Sequence, residues 1–250
     1  MGEALLGGVI ASGWPAEEVG VVEPDEQRRD ELLSEHPGVD VRESIADGVD
    51  AIVAVKPQHV LGVVESLSNA QVARVLSIAA GVTIGSIEAK APQMSVIRCM
   101  PNTPALVGQG ASAVAAGTRA DSEDLDWARD ILSAVGIVVT VDEPDLDAVT
   151  GLSGSGPAYV FRLAEAMTAA GERQGLAPNV ADGLTRQTLL GAATLLAKSD
   201  LTAAQLRENV TSPGGTTAAG LEQFAEADFI GLVDRVIKAA VERSRELGAS

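Results

Sequence analysis

The sequence contains one cysteine, Cys99, so no internal disulfide can form and a reducing, cytoplasmic setting is expected. It has two histidines, His36 and His59, and no C-x-x-C or H-E-x-x-H spacing, so no metal site is expected. The acidic stretch Glu143–Asp147 reads as a solvated turn, because its spacing presents no ligand set. Aromatic residues make up 2% of the chain, and the core must therefore come from Ala, Val, Leu and Ile, which a hydrophobic content of 46% supplies. No run of about 18 apolar residues is present, so no membrane-spanning helix is indicated. No basic segment leads an apolar stretch at the N-terminus, so no secretory signal is expected. Positive charge is scarce: the formal net charge is −17, which argues against nucleic acid or an anionic membrane as partner. An anionic substrate would need donors gathered locally. Internal repeats are absent too.

What is present falls into two halves. From Val19 to about Thr140, short β-branched runs alternate with amphipathic segments. Strands are predicted at 19–23, 51–55, 75–79, 96–100, 111–116 and 137–141, and helices at 25–36, 58–67 and 122–135. This alternation predicts an α/β, doubly wound, Rossmann-like parallel sheet, residues 1–142. After Asp142 the pattern is all-α to the end, with helices near 155–174, 179–198, 202–209, 214–226 and 229–247. These alanine-rich helices carry almost no aromatics and would make a thin core alone. A helical dimerisation domain, 143–250, is therefore expected, its faces buried against a second copy.

In a doubly wound sheet, ligands bind beyond the carboxyl ends of the strands. The first strand ends at Glu23, an acid that can accept from a ribose hydroxyl or can simply be solvated at a helix start, with Arg28 and Arg29 following. The next ends Ala54-Val55-Lys56-Pro57. One of four lysines in the chain stands there, placed either to meet a cofactor or to snorkel from a sheet edge, and the proline suits a helix start. Ile78-Ala79-Ala80 leaves room for a flat ring or for tight helix packing. Asn102, between two prolines, can donate and accept toward a ligand or close an Asx turn. In the helical half, Gly154-Ser155-Gly156 permits either close backbone approach or hinge motion. The stretch Thr211-Ser212-Pro213-Gly214-Gly215-Thr216-Thr217 lacks any apolar residue. Ser212 is the expected N-cap, with Pro213 in the first turn, and the result is an ordinary interhelical turn or an anion cradle of backbone N–H groups.

Together these motifs resemble the pyrroline-5-carboxylate reductase family across essentially the whole chain. The carriers are Val55-Lys56-Pro57, Ser77-Ile78-Ala79-Ala80-Gly81-Val82, Met100-Pro101-Asn102-Thr103-Pro104-Ala105, Gly154-Ser155-Gly156-Pro157-Ala158-Tyr159 and Ser212-Pro213-Gly214-Gly215-Thr216-Thr217. The resemblance implies reduction of the C=N bond of 1-pyrroline-5-carboxylate to L-proline with NADPH or NADH, in a homodimer or a larger homo-oligomer whose active site is shared between subunits. It implies that Ala54 to Pro57 and Ile78 to Ala80 line the cofactor, with Gly2, Glu23 and Asn102 beside it. Ser212, Gly214, Gly215, Thr216 and Thr217 would hold the substrate carboxylate, Thr217 would reach the ring nitrogen as the catalytic donor, and Glu143 would neighbour the substrate.

One departure stands out. A dinucleotide-binding sheet normally opens with a strand running into G-x-G-x-x-G. Here the chain opens on Met1-Gly2-Glu3-Ala4-Leu5, already the following helix, and only Gly2 can be the third glycine. The expectation is an N-terminally truncated or mis-started sequence that binds cofactor weakly and exposes an unpaired strand edge. Two rival readings remain open. One is a related hydroxyacid or coenzyme F420 dehydrogenase, against which stands the lack of a lysine in 155–174. The other is a catalytically impaired dimeric homologue.

Overall fold

The computed structural model describes residues 1–248, and the chain divides into two compact units. One comprises Met1–Ser155 with the residues from Ala239 on; the other comprises Gly156–Lys238. Residues 143–155, grouped by sequence with the helical half, thus lie in the first unit, where Leu146 is fully buried in the sheet's core.

The first unit begins with α1 (Gly2–Ala11), the helix expected there, followed by β1 (Gly20–Val22), α2 (Glu26–Glu35) and β2 (Asp40–Arg42). Asp25 caps α2, its carboxylate accepting from the Arg28 N–H at 2.8 Å. β1 and β2 pair in parallel as a separate two-stranded sheet. β2 was not expected, since Asp-Val-Arg is too short to show a period. Among the described residues no strand joins this sheet to the larger one. Val22 and Ile52 have exposed side chains.

The larger sheet has the order β3 (Ala51–Val53), β4 (Arg74–Ser77), β5 (Ser95–Met100), β6 (Gly110–Ala116), β7 (Gly136–Thr140). Helices α3 (Pro57–Asn69), α4 (Ile84–Lys90) and α5 (Ser122–Ser133) lie between strands. The expected parallel pairing holds except between β5 and β6, which run antiparallel. The link between them, residues 101–109, is too short for a parallel crossover of about a dozen residues. α4 also escaped the sequence pattern, because seven residues make barely two turns.

Each face of this sheet buries a different cluster. Val60 and Val64 of α3, with Ile84 and Ile87 of α4, cover one face, and Ala128 and Leu132 of α5 cover the other. The helix α1 serves both sheets: Leu5 packs beneath the five-stranded sheet, and Leu6 packs with Leu32 of α2 and Val39, just before β2, in the cluster that Val21 of β1 and Val41 of β2 adjoin. Each fully buried Leu or Ile contributes about 1.5–3 kcal/mol. After β7 come a short α6 (Leu146–Val149) and a π-helical turn, Thr150–Gly154. A Cβ on Gly154 would lie 2.5 Å from the Met100 methyl, the mobile end of a flexible side chain.

The second unit contains α7 (Gly156–Arg173), α8 (Pro178–Lys198), α9 (Ala203–Asn209), α10 (Thr216–Glu226) and the start of α11 (Phe229–Gly248), close to the expected bounds. It buries almost nothing alone. Only Ala181 and Thr185 of α8 are buried, and α7, α9 and α10 bury no residue.

Candidate active site

Three features of the first unit converge at one end of its sheets: the start of α1 and the carboxyl ends of β3 and β4. The N-cap of α1, Met1, supplies no side-chain acceptor, so the first-turn N–H groups are left uncapped. A Cβ on Gly2 would lie 3.0 Å from the Cβ of Ala54, so the helix start and the strand end approach closely there and a side chain on Gly2 would need Ala54 to give way by a few tenths of an ångström. Beyond Ala54, Val55 and Lys56 are exposed. Pro57 takes the first position of α3, as expected, and the Lys56 ammonium has no ion pair among the described residues. Ile78 donates its N–H to the Val53 carbonyl at 3.1 Å, holding the two strand ends in line. Ala79 points into the core and is 5% exposed, so only its backbone faces outward, whereas Ala80 is exposed.

Glu23 extends β1. Its N–H donates to the Arg42 carbonyl at 3.0 Å, and its Oε1 accepts from the Asp25 N–H at 3.0 Å. The arginines near it are committed elsewhere. Arg28 reaches Glu3 at 2.6 Å and Glu31 at 2.7 Å. Arg29 donates to the carbonyls of Glu23 and Pro24 at 2.9 and 2.7 Å.

Asn102 differs from its expected role. Its Oδ1 accepts from the Ala111 N–H at 2.8 Å and its Nδ2 donates to the Ser153 carbonyl at 3.1 Å, with the residue buried. Both ends of the amide therefore brace β6 and the π-turn rather than face a ligand. Glu143 sits at the N-terminus of α4. Its Oε1 accepts from Ile84 N–H at 2.7 Å and from Arg98 at 2.9 Å. Sequence reading missed this pair; an arginine in the middle of a buried strand was the available signal, since it needs an acid.

In the second unit the 211–217 turn departs from the expected cap. Ser212 does not cap the helix. Residues 212–215 form a tight turn closed by the Gly215 N–H to the Ser212 carbonyl at 3.0 Å, with Pro213 second and Gly214 third at φ +70°. A proline followed by a left-handed glycine is the chemistry of a type II turn, and it uses up the positions a serine cap would need. The helix α10 starts only at Thr216, with Gly215 as N-cap and no side-chain acceptor. A Cβ on Gly215 would lie 2.6 Å from the Ser212 Oγ. The outcome is an exposed helix start whose first N–H groups are free of protein acceptors. No hydrogen bond of the Thr216 or Thr217 hydroxyl is found among the described residues, whereas Thr211 spends its hydroxyl on the Arg207 carbonyl at 2.6 Å.

One group of possible metal donors lies together among the described residues, Glu3, Glu35 and His36, within 4.8 Å. Arg28 already bonds Glu3 and lies 3.9 Å from Glu35, so a guanidinium balances their charge. Cys99 is buried beneath the sheet, and burial pushes its thiol up to about 12, which makes it a packing residue rather than a nucleophile.

Residues 143–247 match the family model described as pyrroline-5-carboxylate reductase dimerisation, and residues 1–81 match that described as NADP oxidoreductase coenzyme F420-dependent. The chain is 43% identical to a pyrroline-5-carboxylate reductase of Pseudomonas aeruginosa over 99% of its own length and 93% of that relative. The chain belongs to the pyrroline-5-carboxylate reductase family. Among solved structures, the pyrroline-5-carboxylate reductase of Coxiella burnetii superposes with a TM-score of 0.93 at 33% identity, over 98% of this chain and 94% of that one. The Plasmodium falciparum pyrroline carboxylate reductase, solved with NADP bound, gives 0.84 at 30% identity over 99% and 94%. The F420-type match covers residues 1–81, while the dimerisation match covers the half that carries the 211–217 turn.

Proposed function

We propose that this chain reduces the C=N bond of 1-pyrroline-5-carboxylate to L-proline with NADPH or NADH, the last step of proline biosynthesis. Membership of the reductase family supports this, and the observation that carries it is the α10 start, where uncapped amides and two unpartnered hydroxyls stand together. The N–H groups after Gly215 take the substrate carboxylate, with Ser212 and Gly214 shaping the cradle. They act at contact range, whereas the −17 net charge is largely screened beyond about 8 Å in physiological salt. Thr217 holds a hydrogen bond to the ring nitrogen. A nicotinamide cofactor supplies the hydride when bound. As hydride adds to the imine carbon, the C=N π pair moves onto nitrogen, which accepts the Thr217 hydrogen bond and takes up one proton from solvent to give the amine, so the protein needs to orient and donate but not to attack.

The residues fit such a cofactor at the close approach of Gly2 to Ala54, beneath an uncapped helix start. Gly2, Ala54 to Pro57, Ile78, the Ala79 backbone and Ala80 would hold it, and Glu23 would take the ribose. Asn102 and Glu143 act from behind as braces, given where their hydrogen bonds go. We keep 1–142 and 143–250 as the functional domains and infer a cytoplasmic homodimer whose substrate turn serves the cofactor half of the partner, as the resemblance implies. Oxidation of NADH and NADPH, followed by absorbance, is expected to require pyrroline-5-carboxylate and to yield L-proline. Cofactor binding with no imine-dependent oxidation would instead favour the impaired homologue.

A further inference from the structure

We propose that Ser244, near the end of α11, is a positioning residue for the reductase reaction: bonded to Asp147, it seats the end of α11 against Gly81 and so holds the Ile78–Ala80 strand end in place for the cofactor. This rests on the reading that Ile78 to Ala80 line a nicotinamide dinucleotide. Among the described residues of α11 only Ser244 is buried, while Ile230, Leu232, Val233 and Val236 of the same helix are exposed. A helix that buries a serine and leaves apolar residues outside is using the hydroxyl, because burying a polar group costs free energy unless it is hydrogen-bonded. The Ser244 Oγ donates to Asp147 Oδ1 at 2.6 Å, the short length of a bond to a charged acceptor. Asp147, expected in a solvated turn, is instead partly buried on α6. Its neighbour Leu146 is fixed in the sheet's core, so the acceptor has a firm footing. The Arg245 Nε lies 4.0 Å from the other oxygen, Asp147 Oδ2.

Leu247 and Gly248, three and four residues on from Ser244, share its face of the helix. A Cβ on Gly81 would lie 3.4 Å from the Leu247 carbonyl oxygen, and one on Gly248 would lie 3.9 Å from the Gly81 carbonyl oxygen, so the two segments lie against each other. Gly81 takes φ +76° as the chain passes from β4 to α4. The segment around it is anchored at both ends. Ile78 donates to the Val53 carbonyl on one side, and Thr83 caps α4 on the other, its hydroxyl accepting from the Ser86 N–H at 3.2 Å. Ala80 is exposed between these anchors, and the end of α11 packs against the residue that follows it. A hydroxyl bonded to a carboxylate fixes the rotation of the helix about its axis, which a small apolar residue in the same place would not do. Rotation of α11 would carry Leu247 off Gly81 and free the strand end, and a shift of about 1 Å under a reacting ring is enough to cost rate.

The test is calorimetric titration with NADPH and NADH and steady-state kinetics on the full chain and on Ser244→Ala, Asp147→Ala and Asp147→Asn, with the urea midpoint of each as the measure of folding. Ser244→Ala and Asp147→Ala are each expected to raise the Kd and KM of the dinucleotide about three- to tenfold, while the KM for pyrroline-5-carboxylate changes by less than about twofold. The double alanine variant should be no weaker than either single one, since the same bond is lost once. Asp147→Asn keeps an acceptor for the hydroxyl and should stay closer to the unaltered chain than Asp147→Ala does. Alanine variants that lower the urea midpoint with the dinucleotide Kd unmoved, or that raise both KM values alike, overturn the proposal and leave the reductase reading intact. An unaltered chain that binds neither dinucleotide overturns both.

Discussion

Thr217 is one of seven polar or small residues in a turn, and it shares with Thr216 a hydroxyl that has no hydrogen bond among the described residues, beside a helix start with no side-chain cap. A donor aimed at a nitrogen that carries charge during hydride transfer contributes about 1.5–3 kcal/mol, or roughly ten- to a hundredfold in rate. Thr217→Ala is therefore expected to lower kcat by that factor while KM changes only a few-fold. Steady-state kinetics with pyrroline-5-carboxylate would remove Thr217 from the mechanism if kcat stayed put. The residue types at this turn were legible in the sequence, as an interhelical turn or an anion cradle. Their local geometry was not. Which residue caps the helix depends on whether the chain closes a turn before it starts the helix, and the left-handed Gly214 decides for the turn. Asn102 shows the opposite error. Its chemistry permits a ligand contact, but the donors and acceptors that claim its amide, Ala111 and Ser153, are 9 and 51 positions away.

At the scale of elements, the strands of the larger sheet were readable from their β-branched runs, and the helices from their period. The antiparallel turn from β5 into β6 was not, because propensity carries no direction. It depends on connection length, whereas the parallel β6–β7 pair depends on the glycines at its start. Gly136 sits at φ +152°, and a Cβ there would collide with the Gly110 backbone, while Gly110 donates its N–H to the Val135 carbonyl at 2.7 Å. Only glycine readily occupies that region, and forcing another residue into it costs about 1–3 kcal/mol before any collision is counted. Gly136→Ala is expected to destabilise the chain by about 3 kcal/mol, read as a fall in the urea midpoint with little change in slope. An unchanged midpoint would mean that the β6–β7 pair relaxes freely.

For the whole molecule, the helical unit is the informative part. Ile230 is 85% exposed, and Phe161, Leu190 and Val210 are each more than 60% exposed. A helical unit with only two buried residues in α7 to α10 has no core of its own, which is what a dimerisation segment requires. On an isolated chain, Ile230→Asp would fall within about 0.5 kcal/mol of neutral, because the side chain touches little. If α11 packs against a second copy, the same change buries a charge and is expected to dissociate the oligomer. Light scattering coupled to size-exclusion chromatography separates the outcomes: a persisting dimer would place the interface elsewhere.

The sequence by itself determined the longer elements and the family, because these follow from periodicity and from motifs whose order along the chain is specific, whereas the short β2 and α4 left no period to read. It also determined that no disulfide staples the fold. The tertiary structure alone decided which polar groups remain available. The Asn102 amide and the Glu143 Oε1 are taken by distant partners, the nearby arginines by acids or carbonyls, while the first turn of α10 is left open. Hydrogen-bond capacity is a property of a residue type, but whether it is spent depends on what folding brings within about 3 Å of it.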